Sequence, residues 1–201
     1  MIITEGVEVS HPSSSGYPNV PGFQDKADEG WKKIIEVVQA EGSKIFPQLW
    51  HVGAMRKEGM APDPKVPGYT PSGLVNTNKQ AAHAMTADEV EMLIECFVKD
   101  ILKIKDLGFD GVELHGAHGY LIDNFFWEGT NQRDDTYGGE IDKRTKFACE
   151  IIKRARKEIG RDFPIAIRFS QWKQQDYEAK LAHTPDELEK FLMPLVDAGV
   201  D

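Results

Sequence analysis

Short apolar runs alternate with longer amphipathic segments along the chain, and this alternation constrains the fold more than any other feature. The runs of strand length are Ile2 to Thr4, Ile45 to Trp50, Gly111 to Leu114 and Pro164 to Phe169. Pro47 weakens the second run as a strand, because proline cannot donate a hydrogen bond to a sheet. Apolar residues recur at helical spacing in the segments Trp31–Val38, Val90–Ile104, Phe147–Ile159 and Leu188–Val196. The order predicts an α/β protein with a parallel sheet covered by helices.

Two of the predicted helices carry start signals. Thr86 with Glu89, and Thr184 with Glu187, fit the capping box, in which each side chain bonds the backbone amide of the other residue. Pro185 occupies the favoured first position of a helix. We therefore predict helix starts directly after both threonines.

Two long irregular stretches interrupt the alternation. Residues 52–85 are rich in Pro, Gly, Ala and Asn and far exceed the usual connection of about 4–6 residues, so we interpret them as an active-site loop or lid. Residues 127–142 contain the pair Gly138-Gly139, which permits the positive backbone angles of a turn.

Composition excludes several classes of partner. With 40% apolar and 28% charged residues, the 201-residue chain is long enough for a globular core. Its net charge of -9 argues against binding nucleic acid or anionic lipid. No run approaches the roughly 20 apolar residues of a membrane span, and the start lacks signal-peptide features, so we expect no membrane partner and a cytoplasmic location.

Cys96 and Cys149 lie in helical segments, where we expect core packing.

Polar and aromatic residues collect where the predicted strands end. In parallel α/β folds, ligands bind at the carboxyl ends of the strands, so these residues are expected to face one side. They are Glu5, Gly6, Gln48, Trp50, His51, His115, His118, Tyr120 and Arg168.

The densest group is the segment from His115 to Tyr120. Two histidines three positions apart can both donate to one oxygen, and a tyrosine two residues further supplies a weak acid, as the reduction of a carbonyl requires. The same spacing also fits two metal ligands, although no further Cys or spaced carboxylates complete a tetrahedral set, and we predict no metal. Structural histidines beside a glycine-rich turn are the third interpretation.

Four motifs resemble the Old Yellow Enzyme family. They are Gly111 to Arg144, which contains His115-Gly116-Ala117-His118-Gly119-Tyr120-Leu121, together with Ile3-Thr4-Glu5-Gly6, Pro47-Gln48-Leu49-Trp50-His51-Val52-Gly53 and Ile167-Arg168-Phe169. The resemblance spans nearly the entire chain and keeps the family's order. It implies that residues 1–201 are an incomplete FMN-binding (β/α)8 TIM-barrel domain with about half of the strands, lacking the first strand and the last strands.

The resemblance also implies an activity and a set of residue roles. Members carry FMN, accept electrons from NADH or NADPH, and reduce the activated C=C bond of a small enone or enoate. By resemblance, His115 and His118 bind the substrate carbonyl and Tyr120 delivers a proton. Gln48, Arg168, Gly6 and His115 contact the flavin, and Trp50 walls the substrate pocket.

Other assignments stay open at this stage. A 2,4-dienoyl-CoA reductase or an amine dehydrogenase of the same family would share these motifs. A metal-dependent hydrolase using His115 and His118, or an inactive truncated binding module, belongs to another class, and a homo-oligomer is possible. We interpret Phe125-Phe126-Trp127 as helix-end packing, and His11, His83 and His183 as surface residues. Because the family's FMN phosphate site follows the absent strands, we expect residues 1–201 alone to bind FMN weakly or not at all.

Overall fold

A four-stranded parallel sheet forms the centre of the computed structural model, which describes residues 1–201. The strands follow one another across the sheet in chain order: β1 (Ile2–Glu8), β2 (Ile45–Trp50), β3 (Val112–Gly116) and β4 (Ile165–Phe169). The helices are α1 (Asp28–Ala40), α2 (Ala87–Leu107), α3 (Leu121–Phe126), α4 (Lys146–Ile159) and α5 (Pro185–Ala198). The predicted α/β class and the four predicted strands and helices are confirmed.

The first two strands differ from the sequence prediction in detail. β1 continues to Glu8, so Glu5 and Gly6 lie inside the strand and not just past its end. Pro47 stands within β2, a central strand. The pairing with β1 is irregular between Ile3 and Gly6, opposite this proline. The Gln48 amide points towards β1, so the missing Pro47 amide faces β3, and the regular ladder with β3 begins only at Gln48.

The helix starts are confirmed, and one of the two capping boxes is only half formed. At α2, the Thr86 hydroxyl accepts from the Glu89 amide and the Glu89 carboxylate accepts from the Thr86 amide. At α5, the Thr184 hydroxyl accepts from the Glu187 amide, but the Glu187 carboxylate accepts from the amide of His183 instead. The short α3 had no periodic signal, because six residues are too few to show one.

The two faces of the sheet differ in character. Paired residues of parallel neighbours point to the same face, and successive residues along a strand alternate. One face packs on the helices in a continuous core through Val7, Leu49, Val112, Leu114, Ile165 and Ile167. The opposite face carries no helix layer and presents Gly6, Gln48, Trp50, Glu113, His115 and Arg168. We call it the open face.

Both cysteines belong to helices. Cys149 is buried and Cys96 is half-buried, and neither forms a disulfide, so packing is confirmed for the first and only partial for the second. None of the helices has the length and apolar character needed to cross a bilayer.

Candidate active site

A cavity of about 390 Å³ lies on the open face, where the strands end. Seven of the nine residues predicted from the strand ends line it: Glu5, Gly6, Gln48, Trp50, His115, His118 and Tyr120. An adjoining cavity of about 490 Å³ is lined by Arg168 and Glu113 and shares Gln48 with the first. Only His51 faces elsewhere. A larger cleft of about 720 Å³ lies among polar residues beside α4 and gathers neither histidines nor aromatic rings.

The strand register brings the predicted cofactor-binding residues onto one face. Gly6 pairs with Gln48, Gln48 pairs with Glu113, and His115 pairs with Arg168. Because His115 stands two positions after Glu113, all of them point to the open face. These side chains therefore share one face of the sheet, and their roles in holding a flavin stay predictions.

Backbone strain shapes the turn that follows β3. His118 and Gly119 both adopt left-handed angles, with φ of 61° and 76°. The left-handed region is uncommon for residues other than glycine, and such strain concentrates at functional sites. The His118 amide donates to Ser170 Oγ at 3.0 Å, and the Gly119 amide donates to Asp123 Oδ2 at 2.8 Å. These two bonds hold the turn in its unusual conformation.

The turn brings three rings into contact beside the wall of the cavity. The His115 ring centroid lies 5.1 Å from that of His118 and 5.0 Å from that of Tyr120. Trp50 meets Tyr120 edge to face at 5.2 Å. Two imidazoles and one phenol thus share a space in which a single small molecule can reach all of them.

The protonation states of these rings suit hydrogen-bond donation at neutral pH. The Ala117 amide donates to His115 Nδ1, so the proton of the neutral ring is on Nε2. Burial, followed by the nearby His118 and Arg168, lowers the pKa of His115 to about 4. Burial and Arg168 also lower the pKa of His118. Burial, with the neighbouring Tyr17 phenol, raises the pKa of Tyr120, so that ring keeps its proton.

Gln48 is oriented by a residue to which the sequence analysis gave no role. Its side-chain nitrogen donates to Glu113 Oε1 at 2.5 Å, which leaves the carboxamide oxygen available as an acceptor. Arg168 is exposed and takes part in none of the ion pairs of the chain. The open face therefore carries one free amide oxygen and one free guanidinium.

Gly6 and Trp50 form a packed pair. A side chain at Gly6 would come within 3.2 Å of the Trp50 ring, so the glycine makes room for the indole. A contact between Gly6 and a flavin stays a prediction. The buried Trp50 indole N–H has no hydrogen-bond partner within the chain.

The loop after β1 supplies a wall that the sequence analysis missed. Residues 17–21 line the cavity, and the Tyr17 ring stacks on Trp50 at 5.8 Å. The only signal was an aromatic residue fixed between Gly16 and Pro18 in a loop directly after a strand. The interpretation of residues 52–85 as the lid is wrong for this cavity, which none of them lines. That loop instead packs behind the turn, where the Ala54 amide bonds Asn124 Oδ1.

Three histidines differ from their predicted places. His51 is almost fully buried, accepts from the Gly53 amide and bonds Ser13 Oγ, and burial lowers its pKa to about 3. His11 is half-buried and also bonds Ser13, and His83 is half-buried and bonds Glu89. His11 and His83 are therefore less exposed than predicted, because the loops fold partly over them. His183 is exposed as predicted, and the Phe125-Phe126-Trp127 run is buried at the end of α3, also as predicted.

No cluster of three or more His, Cys, Asp or Glu side chains in the chain is arranged to hold a metal ion. His115 and His118 therefore lack the further ligands that a catalytic zinc site requires.

Comparisons with known proteins agree with this geometry. A model of the NADH:flavin oxidoreductase / NADH oxidase family matches residues 1–195. A NADH oxidase of Thermoanaerobacter brockii is 35% identical over the whole chain, which covers 30% of that protein. The 12-oxophytodienoate reductase 2 of Arabidopsis thaliana is 34% identical over 96% of the chain, which covers 53% of that protein.

Two solved structures share the fold. Morphinone reductase superposes with a TM-score of 0.80 at 29% identity, over 98% of this chain and 56% of its own. An Old Yellow Enzyme from a Pichia species superposes with a TM-score of 0.78 at 31% identity, over 89% of this chain and 50% of its own. The sheet and helices are thus about half of an Old Yellow Enzyme type TIM barrel. The chain spans about half the length, or less, of these relatives.

Proposed function

Because the chain belongs to the NADH:flavin oxidoreductase / NADH oxidase family, known also as the Old Yellow Enzyme family, we propose that it forms part of an FMN-dependent ene-reductase. The enzyme reduces the C=C bond of α,β-unsaturated carbonyl compounds with NADH or NADPH as electron donor. The observation that carries the proposal is the gathering of His115, His118 and Tyr120 around one cavity, beside Gln48 and Arg168 on the same face. A relative whose name denotes an unsaturated oxo acid, 12-oxophytodienoate reductase 2, supports the substrate class.

The donors and acceptors of the open face fit the polar edge of a flavin. That edge alternates hydrogen-bond donors and acceptors, and the Gln48 oxygen can accept while the Arg168 guanidinium can only donate. Arg168 is exposed and forms no ion pair within the chain, so its guanidinium is available to a ligand. Gln48, Arg168 and His115 would hold the ring, and the bound FMN would supply the hydride-transfer chemistry.

His115 and His118 would bind the substrate carbonyl oxygen. Negative charge grows on that oxygen as the double bond is reduced, and preorganised N–H donors in a partly dry site stabilise such charge. Both imidazoles are neutral at neutral pH, since burial lowers the pKa of each. They would therefore act as uncharged hydrogen-bond donors. The permanent positive charge beside them is that of Arg168.

Tyr120 would deliver the proton to the α-carbon. Its raised pKa keeps the phenol protonated at neutral pH, and proton transfer needs a group that still holds its proton when the carbanion-like centre forms. Trp50 packs edge-on against Tyr120 and Tyr17 stacks on Trp50, so the phenol sits in an aromatic wall that limits water. Residues 1–201 would form the part of the barrel domain that carries this chemistry.

The assay is reduction of 2-cyclohexenone by the complete FMN-loaded protein with NADPH or NADH. We expect cyclohexanone as product, in amounts equal to the nicotinamide consumed under nitrogen. Oxidation of the nicotinamide that occurs only with oxygen, and without any saturated ketone, would overturn the ene-reductase assignment and leave an NADH oxidase. The nicotinamide preference follows from the same experiment.

A further inference from the structure

Lys173 lies behind the strained turn of His118 and Gly119, in a buried place that is unusual for a lysine. Its side chain has no solvent exposure, and its ammonium lies 2.6 Å from Asp123 Oδ1, whose carboxyl group is also buried. Burial raises the pKa of the Asp123 carboxyl and lowers the pKa of the Lys173 ammonium, so each charge depends on the other. Buried pairs of this kind are often no more stabilising than apolar residues of the same size. Stability alone therefore does not explain the pair.

The contacts of Lys173 lead directly to the turn. Besides Asp123 Oδ1, its ammonium donates to the carbonyl oxygen of Ser170 at 3.1 Å. Asp123 and Ser170 are the two residues whose other oxygens accept the amides of Gly119 and His118. One ammonium thus ties together both acceptors that hold the left-handed conformation.

We infer that Lys173 is a positioning residue for the catalytic turn: by fixing Asp123 and Ser170, it sets the places of His118 and Tyr120. The inference deepens the proposed function and rests on it for the roles of those two rings. Lys173 does not line the cavity with them, so it acts through the two acceptors.

The surroundings of Lys173 support this role. It belongs to a hairpin, Trp172–Lys173 with Asp176–Lys180, that directly follows the Arg168 strand. Another hairpin residue, Gln175, presses its carboxamide against Gly119, leaving no room there for a side chain. The hairpin therefore packs against the back of the turn. Within the hairpin, only Lys173 forms an ion pair with Asp123.

The test compares three variants of the complete FMN-loaded protein. Lys173→Met removes the ammonium and leaves Asp123 buried without a partner. The double variant Lys173→Met with Asp123→Asn removes the uncompensated charge as well, and it carries the test if the single variant fails to fold. Ile152→Ala, in the core of α4, is a control that lowers stability far from the turn.

Three measurements distinguish positioning from stability: the melting temperature, the hydrogen exchange of the His118 and Gly119 amides, and kcat for 2-cyclohexenone. In Lys173→Met we expect faster exchange at both amides and a kcat reduced roughly tenfold to a hundredfold, since small displacements of reacting groups have effects of that size. In the double variant we expect the melting temperature to recover while exchange stays fast and kcat stays low. Ile152→Ala should lower the melting temperature and leave both the exchange rates and kcat unchanged.

Two results would overturn the inference. One is unchanged exchange at His118 and Gly119 when Lys173 is replaced. The other is a double variant in which kcat recovers together with the melting temperature, because Lys173 would then serve only to compensate a buried charge. If the unsubstituted protein reduces no enone, the proposed function fails, and the exchange rates still decide the positioning role.

Discussion

The two faces of the sheet are built from alternate residues of the same strands, yet they carry different kinds of side chain. Leu114 faces the helices and is completely buried, whereas its neighbour His115 faces the open side with its ring against Tyr120. Ile167 packs towards the core, and its neighbour Arg168 is exposed. The covered face is filled by apolar side chains, and the open face carries polar and aromatic ones.

Under the proposed function, this difference separates residues that stabilise the fold from residues that act on the substrate along a single strand. A substitution on the covered face leaves a void that the surrounding core fills only in part. A substitution on the open face removes a donor, an acceptor or a proton that no neighbour replaces. The following predictions are ordered by the size of the effect that each face should show.

The largest effect is expected for Tyr120→Phe. Loss of the proton donor should lower kcat for 2-cyclohexenone about 10²–10⁴-fold, the usual contribution of general acid catalysis, while FMN stays bound. The control is Tyr177→Phe, which alters an exposed tyrosine that lines neither cavity of the open face. Steady-state kinetics and the flavin absorbance of both variants provide the check. Full turnover in Tyr120→Phe would remove the phenol from the mechanism.

The next effect is on the covered face. Leu114→Ala should lower the free energy of unfolding by about 3 kcal/mol, because the side chain is fully buried at the centre of the sheet. The matched variant on the open face is Arg168→Ala. Its free energy of unfolding should stay within about 0.5 kcal/mol of that of the unsubstituted protein, because the arginine is exposed. Urea unfolding of the two variants measures both values. Equal losses of unfolding free energy in the two variants would show that the two faces do not differ in their contribution to stability.

A smaller effect concerns pH and His115. Its pKa is lowered from 6.5 to about 4, so between these values the folded state binds fewer protons than the unfolded state. Stability is therefore fully present above about pH 6.5 and is lost as the pH falls towards 4. We expect His115→Asn to reduce this loss by about 2 kcal/mol, after a discount for partial contact with solvent.

The control for that pH dependence is His183→Asn, because His183 is exposed. Unfolding in urea at several values between pH 4 and pH 7 supplies the data. If His115→Asn keeps the full acid sensitivity of the unsubstituted protein, the ring is not held neutral by its surroundings.

The sequence predicted the sheet well because its signals were local. Four apolar runs and four amphipathic segments are enough to predict the order of strands and helices, and the polar residues at the predicted strand ends indicated where the cavity lies. The bulge opposite Pro47 and the length of β1 were missed, because both depend on how two strands pair. Pairing is not visible in either strand alone.

The parts of the site that escaped prediction depend on tertiary contacts. Tyr17 reaches the cavity only because its loop folds back over Trp50. The Lys173–Asp123 pair joins residues 50 positions apart, and nothing in the local sequence marks either as buried. His51 belongs to a motif of the family and stands next to Trp50, yet it turns into the loops. The cytoplasmic location and the homo-oligomer stay predictions.

The most direct test of the account is the affinity of the complete protein for FMN after substitution of two residues of β4 that face opposite sides of the sheet. Arg168→Met should weaken FMN binding roughly tenfold to a hundredfold, because a hydrogen bond to a charged group contributes about 1.5–3 kcal/mol. Ile165→Val should leave the affinity unchanged, since Ile165 is buried in the core against the helices and lines neither cavity of the open face. Fluorescence titration of the flavin gives both constants. Unchanged affinity in Arg168→Met would contradict the claim that the open face of the sheet binds the flavin.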